Sequence, residues 1–376
     1  MIKPQLFIGI MSGTSLDGID VAMASFEQNN CQVVATHFLA YDPAIKSALL
    51  ALHTPTDNEL ERSILMGNQL AILYSKAVNT LLAEINIAPN EVLAMGCHGQ
   101  TIRHKPRYED GIGYSVQIGN PSLLAELTSI SVVADFRSRD IAADGQGAPL
   151  VPAFHQALFA STQKNRAIIN IGGIANITYL GKKGQDLSDG KVLGFDSGPG
   201  NMLLDAWVKA KIGKDYDADG AWSATGVVLQ SLLSSLLTEP YFALPPPKST
   251  GRDLFNDAWL DKHLRSADLR PQDVARTLVA FTAHTIFNVL MQYCHAVDEI
   301  YLCGGGARNS LLVADLQALL VGKKVLTTDA LGIGVDWLEA VAFAWLAKQT
   351  INNNSSNLPS VTGAKGLRVL GAIYPA

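Results

Sequence analysis

Short apolar runs separated by glycine-rich turns open the chain. Residues 6–10 and 21–26 are apolar with a β-branched component and flank the polar stretch 12–20; a third run, 31–41, follows a turn at 28–30. This pattern predicts three strands in a meander. From 58 to 87 the apolar positions take helical spacing, with Leu60, Ile64, Leu65, Leu70, Leu73, Ala77, Leu81 and Leu82 on one broad face. Strands are expected at 92–97, 114–118 and 130–134, with a Gly/His-rich turn after the first and a helix opened by Asn120-Pro121 before the last.

The same order returns in the second half. An apolar strand at 166–171 runs into Gly172-Gly173, then into strands at 174–180 and, after a Gly/Lys/Asp loop, at 191–195. The repeat is architectural and predicts an α/β protein with two similar domains. Helices are expected at 200–212, 223–237, 257–265 and 273–295. A strand at 299–303 then meets Gly304-Gly305-Gly306 and a helix at 309–320, and a last long helix covers 334–350. Residues 352–356 read as a polar linker and 367–374 as a short ordered end. The Gly/Pro-rich stretch 146–152 reads as a rigid link. The expected division is therefore 1–150, with the first hairpin, and 151–376, with the second hairpin and the glycine turn, the tail 355–376 packing back on the first domain.

A chain of 376 residues exceeds the size of one ordinary core, which agrees with two domains. Hydrophobic residues make up 48% and charged residues only 17%. That excess points to added burial, in an interdomain cleft or a subunit interface, so a homodimer is expected. Lys and Arg number 29 against 34 Asp and Glu, and no block of like charge occurs. Without a basic face to neutralise phosphates, non-specific nucleic-acid binding is excluded. Cys31, Cys97, Cys294 and Cys303 lack any CxxC pairing and read as buried thiols, neither a disulfide framework nor a zinc site. The N-terminal apolar run is too short for a signal sequence, and no apolar stretch is expected to reach the roughly 18 residues that cross a bilayer. A soluble, cytoplasmic protein without membrane partners is the expectation.

Several polar clusters could carry chemistry. Gly13, Thr14, Ser15, Leu16, Asp17, Gly18, Ile19 and Asp20 form a turn between two strands. Its glycines allow close approach of backbone N–H groups to an anion, and its two hydroxyls add donors. Asp17 and Asp20 would repel a bare phosphate but suit one bound with a divalent cation. A hairpin with an Asp-Gly turn, which needs no ligand, stays open. Gly172 and Gly173 form a second turn of this kind. Gly304, Gly305 and Gly306, between a strand and a helix, could lie along a nucleotide. Asp196 ends a strand among glycines, where a carboxylate could act as a base or cap the next helix. His98 and Gln100 lie in a polar passage suited to sugar hydroxyls. The segments around Arg137 and around Lys248 could bind an anion or pair within the chain. Glu339 is an acidic residue on a largely apolar helix.

The motifs GTSLDGID, GCHGQTIRH, VVADFRSRDIAADGQGAPLVP, NIGGIANIT, GFDSGPGNMLLDAW, PKSTGRDLFN and CGGGARN, in that order, resemble the anhydro-N-acetylmuramic acid kinase family. The resemblance implies a fold of the sugar kinase/heat-shock ATPase/actin type, with ATP in a cleft between two similar domains. It implies that water opens the 1,6-anhydro bridge of the muramic sugar while O6 receives the γ-phosphoryl group of ATP, a step in peptidoglycan recycling. By the same resemblance Asp196 is the base and residues 13–20, helped by Gly172 and Gly173, cradle the phosphates. Gly304 to Gly306 lie along the nucleotide, His98, Gln100 and Arg137 meet the sugar, and Glu339 is a second acidic group in the site. Sugar kinases of this wider fold usually carry an acidic residue at the end of the first strand. Met11 stands there in this chain, so Mg²⁺ is expected with ATP while Asp17 and Asp20 are only candidate ligands.

Overall fold

The computed structural model describes residues 5–27, 30–108, 111–182, 191–264 and 269–376. Most of the turn expected at 28–30, most of the loop before 191, and the end of the helix expected at 257–265 lie outside the described residues.

The chain divides into two compact units, Met1–Leu158 with Trp337–Ala376, and Phe159–Asp336. This differs from a division at 150. The helix Val151–Phe159 follows the Gly/Pro stretch directly, and the last long helix, expected in the second domain, belongs to the first unit.

In the first unit, β1 (Leu6–Ser12), β2 (Gly18–Glu27) and β3 (Asn30–Ala40) form the antiparallel meander. β4 (Val92–Tyr108) pairs parallel with β1, and β5 (Gly111–Ile118) folds back on β4. β6 (Val132–Ala134) lies parallel beside β4. β1 is almost wholly buried and β3, on the edge, alternates, which is why one reads as a continuous apolar run and the other does not. The helix Glu59–Ile85 covers one face through Leu70, Tyr74, Ala77, Val78 and Leu81.

The helix Leu338–Ile351 also packs on this sheet, and two glycines set how closely. A Cβ on Gly9 would lie 1.7 Å from the carbonyl oxygen of Ala340, and one on Gly96 2.1 Å from that of Phe343. Only hydrogen at these two positions lets helix backbone rest on strand backbone.

The second unit repeats the plan with β7 (Arg166–Ile171), β8 (Ile174–Leu180), β9 (Val192–Pro199), β10 (Glu299–Cys303) and β11 (Lys324–Thr327). Its order is β11-β10-β7-β8-β9, and the first unit contains β6-β4-β1-β2-β3 in the same senses, with β12 (Ala372–Tyr374) added antiparallel to β6. Five strands in this order, a meander joined to a parallel pair, recur in both units. The two α/β units thus share one plan, and the repeat read from the sequence is a repeat of topology.

One expectation about apolar length is corrected. By length and composition the helix Pro271–Tyr293 could cross a membrane, the one such helix among the described residues. It packs in the core of the second unit through Val274, Leu278, Phe281, Ile286 and Leu290. Cys97, Cys294 and Cys303 are buried thiols as expected, and Cys31 is half-buried.

Candidate active site

In the first unit the chain turns sharply between β1 and β2. Leu16 takes a left-handed backbone, φ 59°, and its N–H donates to the Gly13 carbonyl at 3.2 Å. The buried Leu16 side chain anchors a turn whose Thr14 and Ser15 are exposed. Gln100 braces it from inside. Fully buried on β4, it accepts a bond from the Ser12 hydroxyl and donates Nε2 to the Gly13 carbonyl at 3.1 Å. The Ser12 and Tyr41 hydroxyls share a 2.7 Å hydrogen bond, and the Tyr41 N–H donates to the Asp17 carbonyl at 3.1 Å. Gln100 therefore spends its amide on the hairpin.

Two residues earlier on β4, His98 joins a second group. Its Nδ1 donates to the Gly99 carbonyl at 2.7 Å, and its Nε2 accepts from Arg137 Nη2 at 2.8 Å and from Gln117 Nε2 at 3.0 Å. Burial, reinforced by the Arg137 charge, pushes the imidazole down to about 3, so His98 is neutral and acts as an acceptor. The ring packs edge-on against Phe343, centroids 4.9 Å apart. Burial lowers Arg137 to about 10, partly offset by the Glu339 carboxylate, and burial raises Glu339 against the pull of Arg137. Arg137 and Glu339 each keep some exposure, while His98 is buried beneath them.

In the second unit, Gly172 and Gly173 are held by main chain alone. Their carbonyls accept from the N–H groups of Asn201 at 2.8 Å, Gly200 at 2.9 Å and Met202 at 3.2 Å, where the helix Met202–Ile212 begins. Gly304, with φ 76°, donates its N–H to the Val335 carbonyl at 2.8 Å and packs against β7, where a Cβ would come within 2.3 Å of Asn170 Oδ1. Asn309 then caps the helix Ser310–Leu319 by accepting from the Leu312 N–H at 3.1 Å.

Asp196 sits near the end of β9 in a frame of three bonds. Its N–H donates to the Lys248 carbonyl at 3.0 Å, its carbonyl accepts from the Tyr241 hydroxyl at 2.8 Å, and its Oδ2 accepts from the Thr250 N–H at 3.0 Å. Burial raises the carboxyl to about 6, with the Thr250 bond and the Lys248 charge opposing. Lys248 is itself buried, its ammonium 3.3 Å from the carbonyls of Tyr241 and Phe242 and 4.7 Å from the Tyr241 ring centroid. A half-covered carboxylate tuned to about 6 is suited to take a proton near neutral pH.

The model of one protein family, described as anhydro-N-acetylmuramic acid kinase, matches residues 5–376. The chain belongs to that family. It is 54% identical to the anhydro-N-acetylmuramic acid kinase of Nitrosospira multiformis over 100% of both chains. It is 53% identical to that of Nitrosomonas europaea, covering 98% of this chain and 99% of the relative. The counterpart in Pseudomonas putida is 50% identical, with 99% of each chain covered.

Within the chain, the residues singled out by sequence fall into separate groups. His98, Arg137 and Glu339 come together although more than one element separates them in the chain. Gln100, expected at the sugar, is a fully buried brace of the hairpin, because Gly99 takes φ 71° and the strand register shifts around Ser12. Asp17 lies in the hairpin turn and Asp20 on β2. Asp17 is exposed with its carboxylate 4.0 Å from Lys46 Nζ, Asp20 stands on β2 opposite Met11, and among the described residues no three His, Cys, Asp or Glu side chains cluster. Without a third ligand, these carboxylates would suit a Mg²⁺ held chiefly by nucleotide phosphates and water. Tyr241 is not singled out in the sequence, and Lys248 and Thr250 enter only as parts of a polar run. Their signal was PKST, a lysine among prolines and hydroxyls that reads equally as a surface turn.

Proposed function

We propose that this protein is an ATP-dependent kinase that opens the 1,6-anhydro ring of 1,6-anhydro-N-acetylmuramic acid with water. It phosphorylates O6 and yields N-acetylmuramic acid 6-phosphate and ADP, in peptidoglycan recycling. Family membership over the whole length supports the substrate, and the framed carboxylate of Asp196 is the observation that carries the chemistry.

In this reading Asp196 takes a proton from the attacking water. The water oxygen bonds to C1, the C1–O6 bond breaks, and the electron pair left on O6 bonds to the γ-phosphorus as the bond to ADP breaks. The Thr250 N–H holds one carboxylate oxygen, and the other takes the proton. Arg137, backed by neutral His98, is the sugar contact matched to a lactyl carboxylate, with Glu339 the second acidic group of the site. Residues 13–20 and the turns at Gly172, Gly173 and Gly304 to Gly306 contact ATP through backbone N–H groups. Mg²⁺ accompanies the nucleotide's phosphates, and no step is assigned to it here.

A cytoplasmic setting and a homodimer complete the proposal. Leu60, Ile64, Leu65 and Ile72, all exposed on the helix Glu59–Ile85, supply an apolar stripe that a second copy would cover. Light scattering at micromolar concentration should give twice the chain mass, and a monomer there removes the dimer.

The deciding experiment gives the protein ATP, Mg²⁺ and the anhydro sugar in ¹⁸O-labelled water. One labelled oxygen is expected at C1 of a reducing 6-phosphate, and Asp196→Asn should lower kcat by at least about 10³ while nucleotide still binds. Phosphorylated product without label would mean a sugar kinase that does not open the bridge. Near-normal turnover by Asp196→Asn would take the base role from this residue.

A further inference from the structure

Asp140 is a fully buried carboxylate in the short helix Ser138–Ile141, and no part of the proposed chemistry uses it. A carboxylate so far from water is retained only where donors surround it. Three do. Oδ1 accepts from the Asn357 amide and from the Thr362 hydroxyl, each at 2.8 Å, and Oδ2 accepts from the Gly147 N–H at 2.8 Å. Two of these donors belong to the C-terminal segment, more than 200 positions along the chain, as the separations of 217 and 222 state.

Gly147 links this carboxylate to Arg137. Its N–H points to Asp140, while its carbonyl accepts from Arg137 Nη1 at 2.8 Å. Arg137 then gives Nη2 to His98. The guanidinium is thus aimed by two acceptors, one of which is placed by Asp140. Further bonds fix the same junction: Gln146 N–H to the Thr362 carbonyl at 2.8 Å, Lys365 N–H to the Ala143 carbonyl at 2.7 Å, and Arg368 N–H to Asn357 Oδ1 at 2.7 Å. Gly147 has φ 66°, so the loop adopts a shape that needs such fastening.

We infer that Asp140 is a positioning residue for the sugar, and that the C-terminal segment carrying Asn357 and Thr362 holds it so that Gly147 presents its carbonyl to Arg137. The inference rests on Arg137 being a sugar contact. It gives the tail a task beyond closing the fold: the tail sets how precisely a guanidinium meets an anionic or amide group of the substrate.

The test measures KM for the sugar and for ATP separately. Thr362→Val removes one donor with little change in volume, Thr362→Ser keeps the hydroxyl, and Asp140→Asn turns one acceptor into a donor facing donors. We expect Thr362→Val and Asp140→Asn to raise the sugar KM about fivefold or more while the ATP KM stays within about twofold, and Thr362→Ser to behave as wild type. If Asp140→Asn does not fold, the Val/Ser pair decides. Arg137→Ala reports on the underlying reading. Unchanged sugar KM in Arg137→Ala overturns that reading and the inference with it. Raised sugar KM in Arg137→Ala beside an unchanged one in Thr362→Val overturns the inference alone, as does a parallel rise of both KM values or an equal defect in Thr362→Ser.

Discussion

The hairpin of the first unit is secured largely by side chains: Gln100 bonds Ser12 and Gly13, and the Tyr41 hydroxyl bonds Ser12, beside two main-chain bonds, Leu16 N–H to the Gly13 carbonyl and Tyr41 N–H to the Asp17 carbonyl. The hairpin of the second unit hangs on main chain, with three consecutive helix-start N–H groups bonded to the carbonyls of Gly172 and Gly173. The strand order around the two is the same. Topology alone therefore does not determine how a tight turn is secured. Side-chain anchoring makes Gln100 and Tyr41 the residues that cannot change, whereas main-chain anchoring needs no particular side chain but draws backbones together closely enough to exclude a Cβ at Gly200.

The largest test of this contrast lies at Gly200, where a Cβ would stand 2.2 Å from the Gly172 carbonyl oxygen. Gly200→Ala should cost about 3 kcal/mol or more, a fall in melting temperature of roughly 6–12 °C. Gly13→Ala meets nothing closer than Ser15 Oγ at 3.6 Å and should change stability by less than about 0.5 kcal/mol. Equal losses in the two variants would end the distinction.

Gln100→Leu sharpens the other side. It removes two hydrogen bonds, one from the Ser12 hydroxyl and one to the Gly13 carbonyl, and should destabilise by about 2 kcal/mol. It should also raise the KM for ATP more than that for the sugar. A selective rise in the sugar KM would return Gln100 to the sugar.

A smaller effect concerns Asp196, whose raised carboxyl is a cost of the second unit's chemistry. Its folded-state value of about 6 lies above the ordinary 3.8, so its contribution to stability is present below about pH 4 and lost as the pH rises through 6. Asp196→Asn should therefore be more stable than wild type at pH 8, by about 1 kcal/mol, with the gap closing towards pH 4. Thermal melts across that range check it, and a constant gap would show that burial does not tune this group. The same titration predicts that kcat/KM falls on the acid side of pH 6.

Much of the framework was legible because it rests on local pattern. The meanders, the helix Glu59–Ile85 and the strand-to-glycine turn at Gly304 each follow from runs of apolar residues and their punctuation. The misses have physical causes. The stretch 98–104 reads as a loop because it is polar, yet it continues β4, where β5 supplies its hydrogen bonds. The helix Pro43–Ala51 is short and the edge strand β11 has four residues, so neither builds a long period. His98, Arg137 and Glu339 were each visible as candidates. Their meeting, and the inward turn of Gln100, depend on a bulge and on long-range packing that composition does not encode.

The return of the helix Leu338–Ile351 to the first sheet has a consequence for biosynthesis. The second unit is contained within one continuous stretch, Phe159–Asp336, while the first is made from both ends of the chain. On the ribosome the middle can therefore mature while the beginning still waits, with Gly9 and Gly96 uncovered, for a helix not yet translated. A premature stop after residue 336 would spare the later-starting half and ruin the one synthesised first.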